Sequence, residues 1–469
     1  MLTSADVDAV VNAAASAVNS DAMAIAVTDR QGNILAIYSK PSVPATSPAN
    51  FGAQADTREV AVALARTASF FSNDQAPLSS RTVRFISGIH FPPGIAYTSN
   101  APLYGIENTN RGCPFNAQYV RGQDFPPARS IDGLEPGLGI LTGKADLDDS
   151  DPNAVNPGGV PLFKQGVMVG GVGVAGVPPN VAEFAAFSGA VGAGFGPTPA
   201  PPGVVLIGGI ALPFVNQTTL PAGYGAGAAD GKYLLGPLGS PKPPPEGDLV
   251  TPRAGPVGGL TQADVQGIVN AAVAEANLTR AVIRLPSGSR ARMVIAVADL
   301  DGSVIALHRM PDATVFSIDV AVAKSRNVIF LSGPDRTSDD LPGVAMGTAV
   351  TNRTIGFGAQ PLYPPGVPST PGPFFSLYQF DTLHPCTQGS QAANPNQNGI
   401  VFFPGSLPLY KNGVLVGGLG VSGDGVDQDD FVTAAGASGY EAPVSIHADQ
   451  IVDEGVRLPY LKFPQNPTY

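Results

Sequence analysis

A 17-residue glycine-rich stretch occurs twice, and it constrains the fold of this chain more than any other feature. The copies run from Val160 to Gly176 (VPLFKQGVMVGGVGVAG) and from Leu407 to Gly423 (LPLYKNGVLVGGLGVSG); they align without a gap and share 11 of 17 positions. Each reads as a β-hairpin, with a short apolar strand, a Lys-Gln-Gly or Lys-Asn-Gly turn, and a Val/Gly-rich second strand. Asn412-Gly413 suits a turn whose two central residues both take positive φ, the type whose twist matches the flanking strands. Glycines within the second strand present no side chain, so another backbone or a ligand is expected to approach closely there. Gly170-Gly171-Val172-Gly173 and Gly417-Gly418-Leu419-Gly420 do not make a dinucleotide fingerprint. They lie inside a strand, whereas that motif sits between a strand and a helix.

The rest of the chain repeats around this hairpin. Leu2–Ala14 (LTSADVDAVVNAA) and Leu260–Ala272 (LTQADVQGIVNAA) share 9 of 13 positions. Thr3 and Thr261 stand at the N-cap of a predicted helix, with Asp6 and Asp264 three residues on, a capping-box start with Asp in place of Glu. Val7, Val10, Val11, Ala14 and Val18 follow helical spacing. A hairpin follows in each copy, Met23–Tyr38 and Met293–His308, turning at Asp29-x-x-Gly32 and Asp299-x-x-Gly302. Those aspartates read as turn acceptors for backbone N–H groups rather than as catalytic acids. An Ala-rich helix comes next, over residues 57–72 and 320–332, in which Arg66 aligns with Arg326 and Leu64 with Lys324. Both copies then carry long Pro/Gly/Asn-rich insertions, roughly 73–156 and 333–403, each with one Pro-Leu-Tyr and one cysteine, Cys113 and Cys386. After the glycine-rich hairpin, a last helix places Glu183 and Asp430 near its start, where acidic groups serve as ordinary helix-dipole partners. Residues 211–214 and 457–460 form matching tails. The division is therefore a first repeat over 1–240, a Pro-rich linker over 241–259, and a second repeat over 260–469.

Composition narrows the function classes. The chain has 469 residues, too many for one typical domain, and 43% of them are hydrophobic, which is enough to bury real cores. Only 13% are charged, and the formal net charge is −11. An acidic chain without a basic cluster excludes nonspecific nucleic-acid binding and attraction to anionic membranes. No 18-residue apolar run suggests a transmembrane helix. The N-terminus lacks the basic and apolar regions of a signal peptide. Low Lys, no Trp and abundant Gly, Pro, Thr and Asn nevertheless point to a secreted or periplasmic protein, with the cytoplasm as the alternative.

The order helix, hairpin, helix, insertion, hairpin, helix resembles the GlcG/HbpS family of haem-binding-like proteins. The AVxDxxG turn, the Ala-rich helix and the PLxxxGxxVGGxGVxG hairpin carry the resemblance. It covers the core of both repeats, and leaves out the insertions and the linker. It implies an α+β, profilin-like fold used twice, each copy an antiparallel sheet flanked by helices. It also implies homo-oligomers, a small-molecule or tetrapyrrole ligand such as haem in some members, and roles in haem handling, redox sensing or corrinoid-linked pathways. Leu64 departs from the family, whose helix usually has Lys there, as Lys324 does in the second repeat. No motif position reproduces a family haem ligand.

The candidate residues follow. Lys324, Arg326 and His384, with Gly170, Gly171, Gly417 and Gly418, form the expected ligand site, on the argument that glycines permit close approach and inserted loops carry function. His384, two residues before Cys386, is the most suggestive of four histidines, since imidazole and thiolate both ligate haem iron. Against it stands the reading of a loop histidine beside a structural cysteine. His90, His308 and His447 form no close metal-ligand pair with it or with one another, and His308 reads as packing or surface. Asp146, Asp148, Asp149 and Asp151 alternate like a calcium loop but lack its Gly and Glu. Asp424, Asp427, Asp429 and Asp430 read as a loop and helix cap. If the repeats pair about a pseudo-twofold axis, as family dimers suggest, Cys113 and Cys386 come together as a disulfide; free thiols or metal-ligating thiolates are the alternatives. Three functions stay open: a non-catalytic ligand-binding protein, an enzyme on the same scaffold using residues of the inserted loops, or a structural assembly protein.

Overall fold

The computed structural model describes residues 1–113, 138–141, 157–197, 204–364 and 370–468; the acidic run Asp146–Asp151 lies outside them. The chain divides into two compact units, the second beginning at Pro245 and also taking in Ser87–Phe91 and residues 95–113 from the first repeat's insertion.

In the first unit, α1 (Ser4–Ser16) precedes the hairpin β1 (Ala24–Asp29) and β2 (Ile34–Ser39). Then come α2 (Thr57–Phe71), the short α3 (Ser80–Phe85), the hairpin β3 (Gly159–Lys164) and β4 (Val167–Ala175), α4 (Pro179–Gly192) and β5 (Lys232–Leu235). The strands form one sheet in the order β3-β4-β1-β2-β5, with every neighbouring pair antiparallel.

The second unit repeats the plan. It comprises β6 (Gly247–Val250), α5 (Gln262–Ala276), β7 (Val294–Ala298), β8 (Val304–Arg309), α6 (Phe316–Ser332), α7 (Asn352–Gly358), α8 (Phe375–Leu383), β9 (Ser406–Lys411), β10 (Val414–Ser422) and α9 (Val426–Gly436). Its sheet runs β9-β10-β7-β8-β6, again antiparallel throughout. The two repeats share one strand order, an α+β fold in which an antiparallel sheet carries helices. The outer strand beside β2 or β8 differs in origin: β5 follows its repeat, whereas β6 precedes its own and falls inside the Pro-rich 241–259 stretch. Each covers a sheet edge that would otherwise present unpaired backbone groups.

Local chemistry sets the element ends. Thr3 Oγ1 accepts from the Asp6 N–H at 3.2 Å while Asp6 Oδ2 accepts from the Thr3 N–H at 2.8 Å, and Thr261 and Asp264 repeat this at 3.1 and 2.8 Å. Asn412 and Gly413 take φ of 52° and 77°, and Gln165 and Gly166 take 53° and 79°. Both hairpins therefore turn with two positive-φ residues. The side chain of Asp29 accepts from the N–H groups of Gln31 and Asn33, at 2.9 and 3.0 Å. Asp299 accepts from Leu300, Val257 and Gly258. Asp29 thus anchors its own turn, whereas Asp299 chiefly ties its turn to residues 257 and 258.

Packing explains the glycine strands. In the first unit α1 and α4 cover one face of the sheet, against Ile25, Val27, Val172 and Val174, and α2 covers the other, against Ala24, Ala26 and Ala175. A Cβ on Gly171 would clash with the carbonyl oxygen of Ala65, and one on Gly173 with that of Ala61. Gly418 and Gly420 meet the carbonyls of Ser325 and Ala321 in the same way. Glycine lets the helix backbone rest directly on the strand, and the approaching group is thus backbone.

The prediction is graded by that contact. Gly418→Ala should cost about 3 kcal/mol of unfolding free energy through overpacking. Gly267→Ala, in α5 with nothing within 4 Å of the new Cβ, should stabilise by up to about 1 kcal/mol. Urea unfolding of the two variants checks both signs.

Candidate functional site

α6 is the most buried helix of the second unit, with Phe316 to Ser332 all inside. Two of its cations were expected to meet a ligand, and both are spent internally. Lys324 Nζ donates to Val421 O at 2.8 Å and to Asp429 Oδ2 at 3.0 Å, and stands 4.9 Å from the Phe403 ring centroid. Burial pushes the lysine down and the aspartate up from their ordinary values. Arg326 Nε donates to Gly302 O at 2.9 Å and Nη1 to Asn398 Oδ1 at 2.8 Å. Arg66 Nε makes the matching bond to Gly32 O at 3.0 Å. This arginine therefore braces the Asp-x-x-Gly turn in both repeats. Gly170, Gly171, Gly417 and Gly418 face the backbone of Thr28, Ala65, Ala298 and Ser325. Six of the seven expected site residues, all but His384, thus serve internal packing.

Asp427 and Asp429 do stand in the first turn of α9, and the acidic residues of this region are in addition paired with cations. Glu183, fully buried, receives Arg81 at 2.6 and 3.0 Å, and Asp430 receives Arg353 at 2.5 Å in the corresponding place. Asp427 pairs with the same Arg353, and Asp424 with Arg284. Buried ions persist only when paired and hydrogen-bonded. The arginine partners lie 102 and 77 residues away along the chain, so no local spacing could disclose them.

A second polar cluster went unseen in the sequence. Asp319 of α6 accepts from the Asn110 N–H at 2.7 Å and from Asn398 Nδ2 at 3.1 Å. Asp381 of α8 accepts from Asn108 Nδ2 at 2.9 Å and from the Ile400 N–H at 2.8 Å. Burial outweighs the Arg111 charge and lifts Asp381 to about 7. Tyr104 stacks on Tyr378 with centroids 5.1 Å apart. Cys113 and Cys386 are joined as a disulfide with Cα atoms 5.4 Å apart.

His384 is placed differently. It follows α8, exposed, and its ring stacks on Phe380 at 4.0 Å. Nδ1 lies 2.9 Å from the Phe380 carbonyl oxygen. A carbonyl only accepts, so the contact selects the tautomer with the proton on Nδ1, in which Nε2 keeps its lone pair. Leu383 beside it is 76% exposed. The other histidines are more engaged: His308 Nδ1 meets Asp248 at 2.7 Å, His447 bonds Ala442 O and stacks on Tyr460, and His90 is buried. Among the described residues no group of three or more His, Cys, Asp or Glu could hold a metal ion.

Residues 260–438 match the family model described as haem degrading protein HbpS-like. Over that stretch the chain is similar to HbpS-like proteins. The corrinoid adenosyltransferases PduO of Salmonella typhimurium and Citrobacter freundii are 26% and 28% identical over 152 residues. Those alignments take in 32% of this chain and 33% of each relative, so the chain spans about a third of the length of the curated relatives it matches. A crystal structure described as a PduOC:haem complex covers 39% of this chain and 96% of its own, at 20% identity and a TM-score of 0.26. A double mutant of HbpS from Streptomyces reticuli covers 38% and 86%, at 20% identity and a TM-score of 0.24. No helix among the described residues is long and apolar enough to cross a membrane.

Two predictions follow from the buried charges. The first repeat has Leu64 and Ala182 where the second has Lys324 and Asp429. Lys324→Met alone should cost about 3–5 kcal/mol by stranding Asp429; adding Asp429→Ala should recover most of that in chemical denaturation. Asp381, with a native value near 7 above that of the unfolded chain, binds its proton more tightly when folded. Its contribution to stability therefore grows as pH falls through 7 and is complete once the unfolded carboxyl protonates too. From pH 8 to pH 6 it should add about 1 kcal/mol, a gain that Asp381→Asn removes.

Proposed function

We propose that this protein binds haem or a related tetrapyrrole without turning it over, with His384 as the iron ligand. The observation that carries this reading is the Nδ1 contact to the Phe380 carbonyl. Metal-ligating histidines commonly donate their second ring N–H to a carbonyl or carboxylate, which fixes the tautomer and raises the basicity of the ligating nitrogen. Phe380 and Leu383 add exposed apolar surface next to that nitrogen, of the kind a porphyrin ring covers. The donor chemistry fits: one neutral imidazole and apolar flanks. Lys324 and Arg326 leave the site, being engaged inside the domain. When bound, haem would supply an iron centre for ligand or redox chemistry; His384 would hold the iron and Phe380 would hold the imidazole. The family model's description, a haem degrading protein, supports the ligand class.

The resemblance also supports a homo-oligomer, which sedimentation equilibrium would establish. The Cys113–Cys386 disulfide favours an oxidising, secreted or periplasmic setting.

Titration with haem should give a Soret band that shifts with ligation. His384→Ala should weaken binding at least about tenfold, roughly 1.4 kcal/mol, while Lys324→Met/Asp429→Ala leaves it unchanged. Loss of the band on prolonged incubation with a reductant and oxygen would point to the enzyme alternative. Equal haem affinity in the His384→Ala variant would sink the assignment.

A further inference from the structure

Two residues beyond His384 the chain is tied covalently to a segment 273 positions earlier. The other ties from that segment converge on the same place. Asn108 Nδ2 donates to Asp381 Oδ2 at 2.9 Å and to Thr382 Oγ1 at 3.3 Å, and Arg111 Nη1 donates to Thr382 O at 3.3 Å. Tyr104 stacks on Tyr378 one turn back. All four contacts grip α8, and three grip its last turn, from which His384 follows directly.

On its other side α8 is held by the Ile400 N–H, which donates to Asp381, and by Phe402, which packs edge-on against Tyr378. Of its nine residues only Leu377 and Asp381 are buried, and Phe380 and Leu383 face solvent at 38% and 76% exposure. A short helix with two buried side chains is marginal alone, because helix stability in proteins comes mainly from packing. Its last turn therefore leans on residues 104–113, which Asn110 also ties to Asp319 and Phe316, and the disulfide adds the one covalent tie between the two segments. The two cysteines are unequally exposed: Cys113 is 3% exposed and Cys386 half-buried.

We propose that Cys113–Cys386 is a redox latch on α8. Closed, it clamps residues 104–113 over the last turn of the helix and fixes His384; opened by a dithiol, it frees that turn and weakens ligand binding there. The ligand half of this statement rests on the reading of His384 given above, and the latch half does not. The chemistry balances as thiol–disulfide exchange. One thiolate of the dithiol attacks Cys386 Sγ, on the more exposed of the two residues, forming a mixed disulfide and expelling the Cys113 thiolate, which takes up a proton. The second thiol then attacks the reductant's own sulfur in the mixed disulfide and releases Cys386 as a thiol. Two electrons pass to the cysteines, and the dithiol leaves as a cyclic disulfide. With the cross-link gone, the segment regains chain entropy that the hydrogen bonds must then oppose unaided.

Hydrogen–deuterium exchange on the full chain tests the latch, before and after dithiothreitol and in the Cys113→Ser/Cys386→Ser variant. Thiol titration of the treated protein confirms two free thiols. Amides of residues 375–386 should exchange at least about tenfold faster in the reduced form, with residues 414–422 of the sheet unchanged. Reoxidation should restore slow exchange. Unchanged exchange at 375–386 in fully reduced protein overturns the latch, and so does equal loosening of 414–422, which would make the disulfide a global staple. In parallel, haem should bind the reduced form at least about tenfold more weakly, and equal affinity overturns the coupling to His384. If neither form shows a Soret band, the haem reading fails and the exchange data alone decide the latch.

Discussion

The structure depends on direct contact between helix backbone and strand backbone. In each repeat a long helix, α2 or α6, lies across the glycine-rich strand so closely that its carbonyl oxygens occupy the space a Cβ would need. This contact sets the distance of the helix from the sheet, and with it which residues are buried. It also explains the sequence economy of the repeat. The glycines, the alanines of the facing helix and the valines between them tolerate little change, while insertions of dozens of residues are accommodated elsewhere.

Two units built on that contact have diverged in how they fill it. The first uses Leu64 and Ala182 where the second uses Lys324 and Asp429. An apolar pair and an ion pair occupy equivalent sites, as expected when a well-bonded buried pair and a hydrophobic replacement are close in free energy. The buried pairs Arg81–Glu183 and Arg353–Asp430, by contrast, occur in both units. Each joins the short helix of the insertion, α3 or α7, to the last helix. The insertions are thus anchored to the core in the same way twice. Thr351 and Thr354 add to this by donating to the carbonyls of Tyr460 and Pro459, as Ser79 and Thr82 do to those of Phe214 and Pro213.

The ligand reading moved on contact with the structure. Basic residues on an Ala-rich helix and glycines in a strand are compatible with a ligand cradle, but the same residues are what a helix packed on a sheet requires. His384 remained because it is exposed, its tautomer is set by a backbone carbonyl, and its neighbours are apolar and uncovered.

What the sequence determined by itself was everything encoded at short range or by internal repetition. Thr3 and Asp6 specify a helix start, Asn412-Gly413 a hairpin turn and Asp29-x-x-Gly32 another, because each acts on backbone groups a few residues away. The matched copies then require one α+β unit used twice. What only the tertiary structure decided were the partners of buried charge and the grouping of Asn108, Asp381, Asp319 and Asn398. The contacts within that last group span 79 and 273 residues of chain, and no periodicity links their members. A buried carboxylate accepts whichever donor the fold delivers, and that delivery is a property of the packed chain.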